Sequence, residues 1–509
     1  MTQSLSTKHP HYSLVDQDWS LMRDAYKGER RVKLQSTTYL PYTSGHIIDG
    51  AGVNMESLGQ KAYEAYKMRA RFPNFMREAI QMAIGMMHSQ PPKIKLPKAM
   101  EGIRSSKGET MEVLLRRINV EQLITGRLGV MADITTDAAP ENDLPYITTY
   151  TAERIVNWDD GRIEQLVPQA LNMVVLNESE FERSESFSWT KESKYRVLVM
   201  GEVEENENKG TYRAGVFNEN DYNEAGLKAL HWKGRFLDRI PFVIINSVDL
   251  TSDVDDPPLL DLGSLCMTIY RADADYRQNL FLQGQDTFVT IGMNVEPDES
   301  VRTGAGSRID LPIGGDAKYV GVQSTGLAEQ RQALEKLESR AGSMGAQTLD
   351  STSRERESGD SLRIRVAART ADMNQIVENG ASGLESILKT VAVWVGENPD
   401  EVSVTPNKEF GEQQLTGQTM VEMATAATLG FPLSRQTMHD LARKRRMTEF
   451  TFEEEVEIAK KEAEDESFPF KKPETPDMAG ADQNSEGDDT DGDQSARNKA
   501  KDLNDAGAK

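Results

Sequence analysis

The stretch PPLLDLGSLCMTIYRADADYRQNLFLQG, Pro257 to Gly284, decides how the chain folds. A proline pair pushes the residue before it into extended backbone and starts a new element. Beyond it, Leu259, Leu262, Leu265, Ile269, Ala272, Tyr276 and Leu280 recur at three- and four-residue spacing, the period of an apolar helical stripe. A helix of about 24 residues is about 36 Å long. Asp255 and Asp256, just ahead of it, favour the positive end of that helix. A second helical pattern, GLAEQRQALEKLESRAGSMGAQTL from Gly326, sets Leu327, Leu334, Leu337, Ala341 and Met344 near heptad spacing. Between the two, Asp286 to Ser324 turns to short strands and glycine turns, as in TFVTIGMNV and GAGSRIDLPIGGDAKYVGV. Two helices of similar length therefore bracket a compact β insertion, a helical hairpin with an elaborated tip.

After the second helix comes LDSTSRERESGDSLRIRVAART, Leu349 to Thr370. No apolar residue interrupts Ser351 to Ser361, so this loop has no core to join. Gly359 permits a tight turn, and Ser358 or Asp360 is suited to cap the next helix. That helix runs from Leu362 to Val395, with Leu362, Val366, Met373, Val377, Leu384, Leu388 and Val391 on its apolar side.

Upstream, Val15, Trp19, Met22 and Tyr26 predict a helix over Val15 to Lys27 that ends at Gly28. Glu56 to Arg71 is helical, carrying Tyr63 and Tyr66. Phe72-Pro73 breaks it, and Asn74 caps a helix to Met87 that turns Met76, Ile80, Ile84 and Met87 inward. SQPPKIKLP forces extended chain, and Glu109 to Thr125 is helical. In GRLGVMADITT, Val130, Ala132 and Ile134 alternate as on a strand. From Pro145 to Val248 the period is two: PYITTYTAERIVNW, NMVVLNE, KYRVLVM, TYRAGVFN and IPFVIIN read as strands. ENENKGTYR and ENDYNEAG read as solvated hairpin loops. The fold class is α+β. Downstream, Gln413 to Glu464 holds further helices, including SRQTMHDLARKRRM. From about Ser467 to Lys509 the composition is that of a disordered acidic tail.

Composition narrows the function. The 509 residues, 38% apolar and 28% charged, carry a formal net charge of −23. Such a chain repels polyanions at long range, the reverse of the Lys and Arg enrichment of a DNA-clinging protein. No apolar run approaches the length of a membrane span, and the N-terminus lacks a signal-peptide pattern. The one cysteine, Cys266, excludes an internal disulfide and is expected to pack on a helix face. No GxxxxGK[ST] loop is present, and GAGSRI at Gly304 lacks a dinucleotide fingerprint. His9, His11, His46, His88, His231 and His439 have no ligand spacing. Asp482, Asn484, Glu486 and Gly487 echo a calcium loop without its terminal Glu or its flanking helices. No catalytic residue, cofactor or metal is expected.

The chain resembles the portal proteins of tailed bacteriophages. The likeness runs through YEAYKMRARFPNFMREAIQMAIGMMHSQPP (Tyr63, Tyr66, Arg69, Ala70, Phe72, Asn74, Arg77, Gly85, Pro91, Pro92), GRLGVMAD and LPYITTYTAERIVNW (Pro145, Tyr146, Tyr150, Glu153, Ile155, Asn157, Trp158). YRVLVM, IPFVIINS, the Pro257–Gly284 stretch and SGDSLRIR continue it in order, whereas QDTFVTIGMNV departs from the family pattern. The resemblance implies a wing at 1–257, a stem helix at 258–283, a clip at 284–325 and a second stem helix at 326–348. It further implies a channel loop at 349–360, a long wing helix at 361–396, a crown at 397–466 and the tail at 467–509. It implies a non-enzymatic ring, usually of twelve subunits, at one capsid vertex of the virion, assembled in the host cytoplasm. Its partners would be the major capsid protein, the terminase large subunit, adaptor or tail proteins, and double-stranded DNA passing through, with no membrane. Another virion component, a head–tail adaptor or scaffold-like protein, is the alternative.

Within that frame Ser351, Thr352, Ser353, Arg354, Glu355, Arg356 and Glu357 form a channel ring of nearly balanced charge, able to touch phosphates without holding them. Asp261, Asp273, Asp275, Glu335 and Glu338 either face the lumen or solvate the stem's outside. Glu296, Asp298, Glu299, Arg302 and Arg308 are candidate clip contacts for a packaging motor or tail adaptor, or else solubilise the hairpin tip. Arg443, Lys444, Arg445 and Arg446 form a basic patch in the crown that meets DNA or pairs with Glu453 to Glu455.

Overall fold

The computed structural model describes residues 4–134, 144–160, 171–183, 187–201, 210–284, 287–292, 311–320, 326–346, 359–408, 425, 434–444, 448 and 450–464. The chain divides into two compact units, Met1–Gly411 and Glu412–Lys509. It is a mixed α+β protein.

In the first unit, α1 (Pro10–Lys27) begins earlier than its apolar spacing implies, because Pro10 suits the first helical turn and His9 accepts from the His11 N–H. Gly28, at φ 85°, stops it and leads to α2 (Glu29–Leu34). A short α3 (Ser44–Ile48) precedes α4 (Leu58–Arg69), whose Ser57 cap accepts from Gln60. α5 (Phe75–Met87) starts where expected, with the Asn74 side chain accepting from the Arg77 N–H at 3.1 Å. Met76, Ile80, Ile84 and Met87 all face the core. The prolines after α5 give β1 (Lys93–Lys95). Next, α6 (Met111–Thr125) is opened by the Thr110 cap and closed by left-handed Gly126.

The strands follow as β2 (Arg127–Asp133), β3 (Tyr146–Thr151), β4 (Ile155–Asp159), β5 (Met173–Asn177), β6 (Glu180–Arg183) and β7 (Trp189–Glu192). After them come β8 (Lys194–Met200), β9 (Tyr212–Asn218), β10 (Lys228–Ala229), β11 (His231–Trp232), β12 (Arg235–Phe236) and β13 (Phe242–Asn246). One antiparallel sheet has the order β13-β2-β3 and a second the order β10-β9-β8-β5-β4. β2 alternates as expected, yet every one of its residues is buried. The reason is a layer on each side. Leu128, Val130 and Ala132 meet α6 and the long helix α9 (Gly359–Val395), while Met131 joins the core shared with the larger sheet. Arg196 of β8 joins the two sheets, donating to Asp133 and to Glu178 at 2.8 Å each. Tyr146 and Tyr150 hydroxyls complete the bridge on the same two carboxylates. Burial raises the Asp133 carboxyl above its usual range, with Arg196 pulling against it.

α7 (Leu260–Gln283), β14 (Thr287–Ile291), β15 (Asp316–Val320) and α8 (Gly326–Ala346) form the hairpin. α9 then passes back through the body, burying Met373, Val377, Leu384, Leu388 and Val391 as its spacing predicts. Within the span expected to open the crown, β16 (Ser403–Thr405) pairs antiparallel with β1 and so belongs to the body. The second unit contains α10 (Arg435–Lys444) and α11 (Phe452–Glu464). Thr451 and Glu454 form a reciprocal cap at the start of α11.

Gly129 leaves room for the buried Phe242 ring of the neighbouring strand β13, which a Cβ at that position would strike. Gly129→Ala is expected to cost about 1–3 kcal/mol of unfolding free energy by overpacking, read by chemical denaturation. Phe242→Leu in the same chain should recover part of the loss. Wild-type stability of the single variant would contradict this packing.

Candidate functional site

The hairpin is the part of the molecule whose shape asks for a function. α7 is 24 residues long and α8 is 21. The buried residues of α7 run from Leu262 through Cys266, Met267, Ile269 and Tyr270 to Ala274. This arc differs from the expected stripe: Leu265, Ala272 and Tyr276 are only half-buried, and Leu280 is 49% exposed. At its root α7 is packed by α1, α4 and α5 as well as by α8, so the covered arc is wide. Further along, the last buried position is Ala274, and Leu280, Phe281 and Leu282 are 42–49% exposed. Three consecutive apolar residues point in three directions around a helix, and one partner helix cannot cover them all.

Short polar contacts fasten the root. The Asp273 carboxylate accepts from the Arg71 backbone N–H at 2.7 Å and from Arg277 Nε at 2.7 and 2.9 Å. The Tyr66 hydroxyl donates to Asp275 at 2.6 Å, and burial followed by that carboxylate pushes its pKa well above the ordinary phenol range. Arg69 donates to Gln278 at 2.5 Å and lays its guanidinium 4.0 Å over the Phe281 ring. Phe72 meets Tyr270 edge-on at 6.1 Å. Arg77 donates to the carbonyls of Tyr26 and Lys27, closing the C-terminus of α1. The α4–α5 residues that carry the sequence resemblance thus largely serve to seat the hairpin and the helices around it. Cys266 packs in the core, its thiol pushed up to about 11 by burial, which makes it a poor nucleophile.

α8 returns antiparallel beside α7, with Asn279 donating to Gln330 at 3.1 Å. Leu334 and Ala341 are buried, and Leu337 and Met344 pack on the same core. At the tip β14 and β15 form a two-stranded antiparallel ribbon on which Phe288 and Tyr319 lie 5.1 Å apart.

The proposed site residues fall in different places. Asp261 and Asp275 lie on the solvent stripe of α7 with Ser264, Thr268 and Arg271. Asp273 does not: at 4% exposure it is sealed against Arg71 and Arg277, so it presents no charge to any lumen. Its position two residues from Asp275 puts it on another face, a distinction that composition alone hides. Glu335 is exposed and Glu338 half-buried on α8. Arg443 is exposed on α10, and its charge adds to the hydrogen bonds from Thr451 that hold Glu454 below the usual carboxylate range. The side chains of Lys444, Arg445 and Arg446, the channel-loop residues Ser351 to Glu357, and Glu296, Asp298, Glu299, Arg302 and Arg308 lie outside the described residues. So does the tail from Ser467.

Two charged centres had no sequence signal. Arg23 of α1 spans to Glu121 and to Glu153 with four contacts of 2.8–3.0 Å, tying α1 to α6 and to the turn after β3. Arg127 is fully buried and stacked 4.1 Å over Trp158, and its guanidinium nitrogens have no hydrogen-bond partner among the described residues. Burial lowers its pKa, against the attraction of Asp255 and Asp253. Among the described residues no group of three or more His, Cys, Asp or Glu is placed to hold a metal. No helix among them is long and apolar enough to cross a membrane.

Residues 258–395 match the family model of a domain of unknown function, DUF4055. That span coincides with the hairpin and α9. A search of curated proteins found no match. Among solved structures, the chain is similar to one titled as the neck of an empty gene transfer agent particle, computed with C6 symmetry. The identity is 12%, with 78% of this chain and 92% of that one covered, at a TM-score of 0.36. The virion of a native gene transfer agent particle gives 13% identity, 72% and 88% coverage and a TM-score of 0.37. Likeness at these scores does not decide the fold or the function, which rest on the chain's own geometry.

Asp273→Ala strips the partner from Arg277 and from the Arg71 N–H, and is expected to cost about 3 kcal/mol or more in unfolding free energy. Asp261→Asn, on the exposed stripe, should stay within about 0.5 kcal/mol of wild type. Equal stability of both variants would return Asp273 to the solvent-facing acids.

Proposed function

We propose that the chain is the subunit of a portal-type ring set in a capsid vertex, a conduit through which double-stranded DNA is packaged, retained and released. The observation that carries this reading is the hairpin. Two long antiparallel helices are rooted in an α+β body, bracket a small ribbon, and leave the body's cover at their far end. A head–tail adaptor offers no account of long paired helices over residues 258–348.

In this reading α7 and α8 are the stem, the residues from 284 to 325 the clip, and residues 349–360 the loop that reaches the DNA. Asp261 and Asp275 on the solvent stripe of α7 stand with Arg271, and the exposed Glu335 of α8 pairs with Arg331, so the stem surface carries mixed charge. Favourable and unfavourable Coulomb terms nearly cancel on such a surface, which leaves the duplex little net attraction to the wall. The balanced loop charge lets DNA be touched without being gripped. Motor work falls to a separate ATP-hydrolysing terminase, since the chain carries no phosphate-binding loop. The capsid protein and an adaptor or tail protein complete the partners, and the virion vertex is the location.

Arg354→Glu combined with Arg356→Glu turns the loop strongly acidic. The expected outcome is particles with intact rings and a DNA content reduced several-fold, read by nuclease-protected DNA per particle. Wild-type DNA content in that variant would remove the channel role of the loop.

A further inference from the structure

The ribbon β6–β7 stands out from the wing with two unlike faces. Its register pairs Phe181 with Lys191 and Arg183 with Trp189, which places these four side chains on one face. Glu180, Glu182, Thr190 and Glu192 occupy the other. The acidic face is engaged by the chain itself: Arg154 contacts Glu180 at 3.4 Å, and Lys194 contacts Glu182 and Glu192 at 2.5 and 3.1 Å. The aromatic, basic face looks outward, with Phe181 68% and Trp189 63% exposed. Exposed aromatics beside an arginine are enriched at interfaces, where Phe181 and Trp189 would form the apolar centre and Lys191 part of the polar rim.

A second surface of the same chain has the complementary composition. The segment from α3 to the start of α4 exposes Ile48, Val53, Met55 and Leu58 at 72–93%. The charged side chains from residue 41 to 60 are Asp49 and Glu56, both acidic and exposed. The segment is held in shape from below. The Ala51 N–H donates to His46 O, the Gly59 N–H to Asp49 O, and a Cβ at Gly59 would collide with the His46 carbonyl. His46 is buried, which lowers its pKa and keeps it neutral.

We infer that the Phe181–Trp189 face of the β6–β7 ribbon docks on the Ile48–Leu58 cap of a second copy of this chain, with Lys191 meeting Asp49 or Glu56. Charge complementarity selects this occupant. Copies that each carry −23 repel at long range, and contact between them needs local charges of opposite sign around an apolar centre. Ribbon and cap are different surfaces, so the contact is heterologous. Repetition of one heterologous contact gives a ring where the rotation closes and an open filament where it does not. The inference deepens the ring reading and rests on it by naming a surface that joins neighbours.

The test uses two variants of the full chain, Phe181→Ser with Trp189→Ser (ribbon), and Ile48→Ser with Leu58→Ser (cap). All four positions are exposed, and circular dichroism should match wild type. By sedimentation velocity each variant alone is expected to be monomeric where the wild type is oligomeric. Mixed in equal amounts they should give a dimer and no larger species, because one intact ribbon and one intact cap remain between them. Lys191→Glu should weaken assembly at least tenfold, and adding Asp49→Lys should recover it. Rings that persist in either variant would overturn this contact while leaving the ring reading in place. An oligomer without an axial hole that these substitutions dissolve would keep the contact and remove the ring reading. Monomeric variants whose mixture does not pair, or a wild type monomeric at every concentration, would overturn the contact.

Discussion

A buried carboxylate, Asp273, fixes the root of the hairpin, and what lies beyond it depends on that root. The charge is kept out of water on α7, and is tolerated because a backbone N–H and a guanidinium both point at it within hydrogen-bonding distance. Removing either partner would leave an uncompensated charge inside the core. The arrangement therefore holds the direction in which α7 leaves the body, more than it adds net stability. Tyr66 and Arg69 of α4 extend the grip along the helix by another turn, to Asp275 and Gln278. Past that point α7 depends on α8, and its last turn keeps three apolar residues partly in water.

The body explains why the root can be rigid. β2 lies between a helical layer and a second sheet, so the packing on its two faces locks its register, and a one-residue slip would place each side chain in the wrong layer. Salt-bridged networks at Arg23 and Arg196 tie layers that share no backbone hydrogen bonds. α9 runs through this assembly, and α7 is joined to it by α1, which packs on both α6 and α7, so the hairpin's root is tied to the body. A conduit built from many copies would need that property, since a soft root would let the channel wall wander.

Much of this was legible in the chain. The Asn74 cap, the buried positions of α5 and α9, the strands between Pro145 and Val248 and the paired helices around a β insertion follow from period, capping residues and breakers. Single-residue placement was legible only in part. The apolar spacing of α7 pointed to Leu265, Ala272 and Tyr276, but the helix is packed from several sides at its root and the covered arc turns toward Cys266 and Tyr270. Asp273 and Asp275 look alike in sequence; one is sealed and one is exposed, because only Asp273 faces the Arg71 backbone beyond α4 and the Arg277 guanidinium one turn along α7. The alternation of Val130, Ala132 and Ile134 marks β2 as a strand but cannot reveal the second layer that buries its other face. Arg23 and Glu121 gave no signal, and Glu153 only through the resemblance, since ion pairs distant in sequence follow no period.

Assembly is where the account is most exposed. Electron microscopy of the purified chain, with its mass in solution, examines it without any partner. The account predicts closed rings of about twelve copies around an axial hole, held by one repeated heterologous contact. A stable dimer or trimer with no hole would contradict it.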